Sequence, residues 1–215
     1  MRVVIQQPQF LPWAGYWHKV ASADILVLYS GVQYVRRSHY SRVKIDGGTL
    51  ILPVQSHPQS ALIRDIRLVP GELPKLAKRI RQSLMGKKNP YGDRLETLVW
   101  VMEKDPWSSY SAAMEGLHNL TAAALGLVIP LTHMYTVEGT TAKDKMEYCL
   151  RALFPGRVTL LNGRSGVGMG YGEIPQVAQV LTQYLEPDTP DCSVLQLIAR
   201  ERCPLDVVMS YGSWR

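Results

Sequence analysis

The hydrophobic pattern switches along the chain between short β-branched runs and longer stretches whose apolar residues recur every three or four positions. Short apolar runs bounded by Gly, Pro or Asp are typical of strands, and they lie at residues 3–5, 25–29, 41–45, 49–53, 63–69, 131–137 and 158–161. The longer period is typical of amphipathic helices, and it occurs at residues 16–23, 73–85, 94–104, 109–125, 145–153, 174–184 and 194–200. We expect the last residues to be frayed.

This order of elements predicts an α/β fold, a single domain with a mixed β-sheet flanked by helices. Residues 3–29 read as a β-α-β start, and residues 41–69 as antiparallel pieces around the Asp46-Gly47-Gly48 turn. No repeat or low-complexity linker divides the chain, so we predict one domain over residues 1–215.

Composition places the chain among ordinary globular proteins. It has 215 residues, of which 46% are hydrophobic and 20% charged, so an adequate core needs no disulfide or metal. Its apolar runs fall far short of the roughly 20 residues of a membrane span, and residues 1–10 lack a signal-peptide pattern. We expect a cytoplasmic protein with no membrane partner.

Cysteine and histidine spacing argues against a protein-bound metal or cofactor. The three cysteines and five histidines are scattered, and none has the spacing of a zinc or redox motif. We therefore predict no metal site and no cofactor. A magnesium ion held partly by a substrate's phosphates is compatible with this prediction, because it needs few protein ligands.

Charge divides the chain into two unlike halves. Residues 1–94 hold 15 Lys and Arg against 5 Asp and Glu, whereas the more helical residues 95–215 hold 9 against 13. The halves thus carry +10 and −4. An anionic ligand is expected on the basic half.

One basic cluster interleaves arginines with rings. Guanidinium groups bind phosphate oxygens and rings stack on bases or sugars, so this combination suits a phosphorylated ligand. The cluster consists of Tyr34, Arg36, Arg37, His39, Tyr40 and Arg42. For the basic residues of the helix near residues 75–88, a solvated surface is the favoured interpretation.

A glycine-rich segment at residues 163–172 lies between a predicted strand and a predicted helix. Backbone amides in such a context can bind phosphate, but the spacing matches neither the dinucleotide fingerprint nor the P-loop. The segment is either a phosphate-binding loop or lid, or a plain connection. Its candidate ligand-binding residues are Gly163, Arg164, Ser165 and Gly166. Spacing alone indicates no reaction.

The first third of the chain contains QQPQFLPWAGYWHK at residues 6–19, Asp24, VQY at residues 32–34 and Arg42. Together these residues resemble the signature of the WbqC-like proteins. It implies that the whole chain is one such domain. It also implies attachment of small, amino-acid-derived groups to sugar nucleotides in surface-polysaccharide biosynthesis.

The chain departs from the family pattern at three places. The family usually has His-Gln-Pro where this chain has Gln6-Gln7-Pro8, two aspartates where it has Ser30-Gly31, and asparagines at Ser41 and Val43. Glutamine cannot replace imidazole as a general base. Loss of two carboxylates is expected to remove a magnesium site and to make the pocket more positive, which favours a more anionic acceptor.

These observations lead to the hypothesis of a transferase that acts on a phosphate-bearing acceptor. Lys19, Arg37 and Arg42 would neutralise charge on a leaving or bridging phosphate, while Gln7, Gln33 and Asp24 would orient the acceptor or an incoming amine. The predicted catalytic residues are Lys19, Asp24 and Arg42. The predicted substrate-binding residues are Gln6, Gln7, Trp13, Gln33, Tyr34, Arg36, Arg37, His39, Tyr40, Gly163, Arg164, Ser165 and Gly166. A structural interpretation is also open for two of these residues: Trp13 as a core residue, and Asp24 as a cap of the turn between the first helix and the second strand.

The favoured acceptor is a modified base in nucleic acid, as in DNA hypermodification. The runner-up is a nucleotide sugar for O-antigen synthesis, and the third hypothesis is a non-catalytic nucleic-acid-binding module. The donor is expected to be a small amino-acid derivative. The sequence does not identify the donor or the oligomeric state.

Overall fold

The computed structural model describes residues 1–38, 40–46, 48–86 and 88–215, without the side chain of Ser165. Its strands are β1 (Arg2–Gln6), β2 (Ile25–Tyr29), β3 (Arg42–Ile45), β4 (Gly48–Ile51), β5 (Leu131–Met134), β6 (Val158–Asn162), β7 (Val177–Leu185) and β8 (Gly212–Trp214). Its helices are α1 (Ala14–Ala21), α2 (Glu72–Leu84), α3 (Glu96–Lys104), α4 (Tyr110–Leu125), α5 (Ala142–Leu153), α6 (Leu195–Arg200) and α7 (Pro204–Ser210).

Within the described residues, six strands form one sheet in the order β5-β2-β1-β6-β7-β8. The first five are parallel and β8 pairs antiparallel with β7, which confirms the prediction of an α/β fold with a mixed sheet. From β1 the chain builds the sheet outward through β2 and β5, and then returns to build the other side through β6 and β7. The strand order therefore reverses between β1 and β6.

Hydrophobic layers cover both faces of the sheet. Val3 and Ile5 of β1 pack with Leu150 of α5 on one face, whereas Val4 packs with α1 and the other helices on the opposite face. Alternate residues of a strand point to opposite faces, and parallel strands buried on both faces read as continuous apolar runs. This explains why the runs at residues 3–5 and 25–29 lack polar alternation.

The hairpin β3-β4 forms a small separate sheet, as predicted for residues 41–53. Arg42 pairs with Ile51 and Lys44 with Thr49, and all four are exposed. The intervening Val43, Ile45 and Leu50 are buried in the larger core. The hairpin thus presents two cationic side chains to solvent; Gly47 of the predicted turn lies outside the described residues.

Polar contacts anchor the hairpin to the C-terminal part of the chain. Asp46 forms an ion pair with Arg200 and accepts a hydrogen bond from Gln196 Nε2 at 2.6 Å. Lys44 forms an ion pair with Asp191. Residues 191–200 therefore position the strand that carries Arg42.

The predicted strand at residues 63–69 is wrong. Ile63–Asp65 form a 3-10 helix, and Arg67 and Leu68 make only isolated bridges, to Ser109 and Val54. Ile63 and Ile66 are both fully buried, and this three-residue spacing suits a 3-10 turn in which side chains at i and i+3 align.

The predicted helix at residues 174–184 is also wrong, because β7 occupies most of it. A shift in register between β6 and β7 pairs Val158 with Val177 but Thr159 with Gln179. Such a bulge moves the later apolar residues to the other face, so their spacing imitates a helix. The C-terminal residues are not frayed, since they form α7 and β8.

Candidate functional site

The reversal of strand order places the carboxyl ends of β1 and β6 side by side where their connections diverge. In open α/β sheets this crevice is where ligands bind. Gln6 ends β1 and Gln7 follows it, and Asn162 ends β6, directly before the glycine-rich segment. The topology therefore brings the signature glutamines and the glycine-rich segment to one edge of the sheet.

Lys19 reaches this edge from α1, which follows β1. Its Nζ donates a hydrogen bond to Gln6 Oε1, and among the described residues it forms no ion pair. Burial lowers the pKa of the half-buried Lys19 amine to about 8, because a low dielectric disfavours the charged form. A neutral amine is thus accessible near physiological pH, and it can accept a proton.

Gln7 hydrogen-bonds the Tyr29 side chain at the end of β2. Burial and the nearby Tyr171 and Tyr40 raise the pKa of Tyr29 above its usual value, so its hydroxyl stays protonated. Tyr171 belongs to the glycine-rich segment. The contact between Gln7 and Tyr29 therefore links the signature to that segment.

A buried hydroxyl fixes the turn that follows β1. Tyr110 OH lies 2.6 Å from the carbonyl oxygen of Tyr40 and 3.1 Å from that of Pro8, and it donates to both. Phe10 N donates to the same Tyr40 carbonyl at 3.1 Å. The turn after the strand is thereby held against the segment that leads into β3.

Beyond this turn lies a basic groove formed by two adjoining cavities. The first, of about 360 Å³, is lined by Gln9, Phe10, Pro12, Trp13, Arg37, Ser38, Arg42, Val43, Lys44, Thr49 and Asp191. The second, of about 300 Å³, is lined by Tyr34, Arg36, Arg37, Ser41, Arg42, residues 51–56 and His57. Both cavities share Arg37 and Arg42.

The two shared arginines are open to a ligand. Both are exposed, and neither guanidinium group has an ion pair or hydrogen bond to another described residue. Arg37 adopts a φ of 57°, a conformation that side-chain-bearing residues adopt at a cost. Arg36, in contrast, donates to the carbonyl of His57. The alternation of β3 turns Arg42 outward, to solvent.

Two of the predicted stacking residues are core residues. Tyr34 and Tyr40 are only 3% and 6% exposed, and Tyr34 packs edge-to-face on Tyr110 with centroids 5.6 Å apart. Tyr34 lines the second cavity, but both side chains are buried in the core, and this position does not fit the prediction that their rings stack on a base. His39, the third ring of the cluster, lies outside the described residues.

Other predicted residues have different placements. Trp13 is half-buried and lines the basic groove, whereas the exposed Gln33 donates its amide to the Gln59 carbonyl at 2.8 Å. Arg164 lies over the Tyr184 ring at 5.6 Å and does not line the basic groove. The side chain of Ser165 is outside the described set.

Asp24 does not belong to this site. It precedes β2 and therefore lies at the amino edge of the sheet, where it accepts hydrogen bonds from the backbone and side chain of Arg2. These bonds lower the pKa of the Asp24 carboxyl. The alternative prediction of a structural role for Asp24 fits this position, and a catalytic one does not.

The sequence analysis missed a buried polar network at the end of β2. Ser30 Oγ lies 2.6 Å from His133 Nε2, His133 Nδ1 lies 2.9 Å from Glu115 Oε2, and Ser111 Oγ donates to Ser30 Oγ at 3.0 Å. This order resembles a serine-histidine-acid triad, but Ser30 is completely buried. No nucleophile is exposed here, and the network connects β2, β5 and α4.

The same region explains one departure from the family pattern. A Cβ atom on Gly31 would lie 2.5 Å from the backbone nitrogen of Val137, so no carboxylate fits there without movement. Neither Ser30 nor Gly31 lines the basic groove. Their replacement of two aspartates does not make that groove more positive, contrary to our expectation.

Two further kinds of feature are absent from the described residues. No three His, Cys, Asp or Glu side chains among them lie close enough to hold a metal ion. None of the described helices has the length and apolarity needed to cross a membrane.

Comparison with known proteins agrees with the signature. The chain matches no curated protein and no solved structure. Residues 7–171 match the model of the WbqC-like protein family. This match includes Gln7, Lys19, all lining residues of the basic groove except Asp191, and residues 163–171 of the glycine-rich segment, and the chain belongs to the WbqC-like family.

Proposed function

We propose that this protein is a transferase that attaches a small, amino-acid-derived group to a phosphate-bearing acceptor, with a modified base in nucleic acid as the favoured acceptor. The observation that carries the proposal is the pair of exposed guanidinium groups of Arg37 and Arg42, which line both adjoining cavities and have no partner among the described residues. Paired guanidinium forks are suited to phosphate oxygens.

The shape of the groove favours a nucleic acid. Its two cavities adjoin along the hairpin β3-β4. Successive phosphates of one nucleic-acid strand would occupy the two cavities and would contact Arg37 and Arg42 from either side. Val35 and Ile51 are about half exposed nearby, at 51% and 45%, and offer apolar contact to a base. A nucleotide sugar would occupy one cavity, since each has the volume of a small-ligand site.

The reaction would be a displacement at a carbon of the acceptor. The amine nitrogen of the donor forms the new bond to that carbon, the carbon–oxygen bond to phosphate breaks, and phosphate leaves with the bonding electrons. Arg37 and Arg42 stabilise the charge on the leaving phosphate. The proton lost by the amine goes to Lys19 Nζ, whose lowered pKa allows it to be neutral beforehand. Gln6 and Gln7 orient the reactants.

Salt dependence of binding tests the acceptor. For a single-stranded oligodeoxynucleotide, the log of the binding constant should fall linearly with the log of salt concentration. Arg37→Ala and Arg42→Ala should each reduce that slope by about 0.7, whereas Arg151→Ala on α5 is the matched control and should not change it. A shallow slope with tight binding of a uridine diphosphate sugar would favour the runner-up acceptor.

Turnover separates the enzyme from a non-catalytic binder. Mass spectrometry of acceptor incubated with amino-acid donors should show, with the wild type, a product whose mass equals that of acceptor plus donor minus phosphoric acid, and no such product with Arg42→Ala. This variant should retain a cooperative thermal transition because Arg42 is exposed. If the wild type binds the oligonucleotide but alters none of a panel of phosphorylated bases, the transferase proposal is wrong. If Arg42→Ala loses its thermal transition, Arg42 is structural.

A further inference from the structure

The first cavity of the basic groove contains a buried amide that the proposed reaction does not use. Gln9, two residues after Gln7, is only 8% exposed, and it lines this cavity. Among the described residues, the Gln9 side-chain amide has no hydrogen-bond partner. A buried amide that makes no hydrogen bond costs free energy, so a ligand in the cavity that bonds to Gln9 would recover that cost.

The lining of the first cavity has a cationic part and an apolar part. The cationic side chains are those of Arg37, Arg42 and Lys44. The apolar side chains are those of Phe10, Pro12, Trp13 and Val43. Guanidinium groups bind phosphate oxygens, whereas a flat ring packs on aromatic and apolar side chains. The two parts together suit a ligand in which a ring is joined to a phosphate.

Trp13 supplies an aromatic ring to this cavity from the residue that precedes α1. It is half-buried, and a Cβ atom on Gly15 would lie 2.5 Å from its ring. The ring can therefore rest on the Gly15 backbone only because residue 15 has no side chain. This contact holds the ring in place, and an aromatic ring in a fixed position can stack on a base.

The turn that carries Gln9 is held in a costly conformation. Leu11 adopts a φ of 44°, which side-chain-bearing residues adopt at a cost. Leu11 is only 1% exposed, and Val194 N donates to the Pro12 carbonyl at 3.0 Å, so core packing and a hydrogen bond fix the turn. Backbone of this kind clusters at ligand sites. The turn therefore presents Gln9 to the cavity from a fixed backbone.

The chemistry of the Gln9 amide indicates which ring fits. A carboxamide presents an N–H donor and an oxygen acceptor side by side. The edge of a nucleobase carries a donor and an acceptor at a matching spacing, as in the pairing of glutamine with adenine. A nucleobase also has a flat face for Trp13, and in a nucleotide it is joined to a phosphate that Arg42 can bind.

We propose that the first cavity is a nucleobase pocket, in which Gln9 hydrogen-bonds the edge of the base, Trp13 stacks on its face and Arg42 binds the phosphate. The inference rests on the phosphate-bearing acceptor of the proposed function, and it adds the residue that selects the base. It applies equally to a base of nucleic acid and to the base of a nucleotide sugar. Gln9 is thus a specificity-determining residue for the acceptor.

Calorimetric titration tests the pocket without any donor. The probes are the common nucleoside monophosphates, and ribose 5-phosphate is the reference that has a phosphate but no base. At least one nucleotide should bind the wild type roughly tenfold more tightly than ribose 5-phosphate. Gln9→Leu should reduce this ratio by about fivefold through loss of the hydrogen bond, and Trp13→Ala by about fivefold or more. Neither variant should change the binding of ribose 5-phosphate.

Gln55→Leu is the matched control for Gln9→Leu. Gln55 lines the second cavity, and its amide already donates to the Leu68 carbonyl at 2.9 Å, so this variant should leave the ratio unchanged. Gln9→Glu has only acceptor oxygens when ionised and should change the order of preference among the bases, which a structural role of Gln9 would not do.

Thermal melting separates a structural role of Gln9 from base recognition. Gln9→Leu should keep the wild-type melting temperature, because the Gln9 amide has no partner among the described residues. A clear fall in the melting temperature would show that Gln9 is structural and would overturn the proposal. Equal binding of all nucleotides and ribose 5-phosphate would overturn it as well.

Two further ligands identify the source of the base and separate this proposal from the transferase. Tighter binding of a trideoxynucleotide than of uridine diphosphate glucose assigns the pocket to nucleic acid, and the reverse order assigns it to a nucleotide sugar. Base-dependent binding without transfer to any acceptor would refute the transferase and leave the pocket. Transfer by the wild type, with a base preference that Gln9→Leu does not alter, would refute the pocket and leave the transferase.

Discussion

The amine of Lys19 should titrate well below the amines of other lysines, and Gln6→Glu should reverse this. In the wild type Lys19 donates to a neutral amide and has no ion-pair partner among the described residues. Burial lowers its pKa from 10.5 to about 8. A carboxylate in place of the Gln6 amide would stabilise the ammonium form and should move the pKa upward by roughly 1 to 3.

The size of the effect follows from the two pKa values. At pH 7 about one Lys19 side chain in eleven is neutral if its pKa is about 8, against roughly one in 3,000 for a lysine at 10.5. The neutral, nucleophilic form is therefore about 300-fold more populated than in an ordinary lysine.

Competitive acetylation read by mass spectrometry measures this directly. Labelling of Lys19 as a function of pH should have its midpoint near 8 in the wild type and between about 9 and 11 in Gln6→Glu. The exposed Lys78 of α2 serves as an internal reference for reagent reactivity. Gln82→Glu, an exposed change elsewhere on α2, is the control for added negative charge.

The position of the midpoint decides the question. Partial burial of Lys19 lowers its labelling rate at every pH, but it does not move the midpoint, so slow labelling alone is no evidence. A wild-type midpoint near 10.5, the unperturbed value of a lysine amine, would show that Lys19 is ordinarily solvated. It would remove the reason for assigning Lys19 the role of proton acceptor.

Two predictions concern stability. Burial lowers the pKa of His118 from 6.5 to about 3. Below about pH 6.5 the unfolded chain therefore takes up a proton that the folded chain does not. The free energy of unfolding should fall by about 3 kcal/mol between pH 7 and 4 for this reason. In urea unfolding, His118→Phe should lose most of this dependence, and equal slopes for both proteins would contradict the assignment. Gly31→Asp should lower the free energy of unfolding by roughly 1 to 3 kcal/mol, because its side chain would overpack against Val137. The control Gly156→Asp, at a position with open space around it, should change the free energy of unfolding little. Equal melting temperatures for the two variants would show that the structure around residue 31 accommodates the side chain.

The fold was predictable where local pattern and tertiary packing agree. The strands at residues 3–5 and 25–29 are buried on both faces, and their continuous apolar runs indicate this burial in the sequence. The strand β7 was not predictable in the same way, because the bulge opposite β6 changes the phase of its apolar residues. A bulge is a property of the pairing of two strands, and a period measured along one strand cannot show it.

The site was predictable as a set of residues but not as an arrangement. The signature identified Gln6, Lys19 and Arg42, and the structure places the first two in one hydrogen bond and the third in the basic groove. Asp24 shares the signature but lies at the opposite edge of the sheet. Neighbouring positions in a sequence motif reach both edges of a sheet whenever the motif spans a complete β-α-β unit, so a motif alone cannot separate chemistry from structure.

The departure at Ser30 shows how this distinction alters the interpretation of a substitution. As a sequence change, loss of a carboxylate at position 30 indicated a more positive ligand pocket. In the structure, residue 30 is buried against His133, which already faces Glu115. A carboxylate at position 30 would place the imidazole between two acids and favour its charged form, whereas the Ser30 hydroxyl can donate to a neutral ring. The substitution therefore changes the charge of a buried network and leaves unchanged the basic groove, whose cationic lining residues are Arg36, Arg37, Arg42 and Lys44.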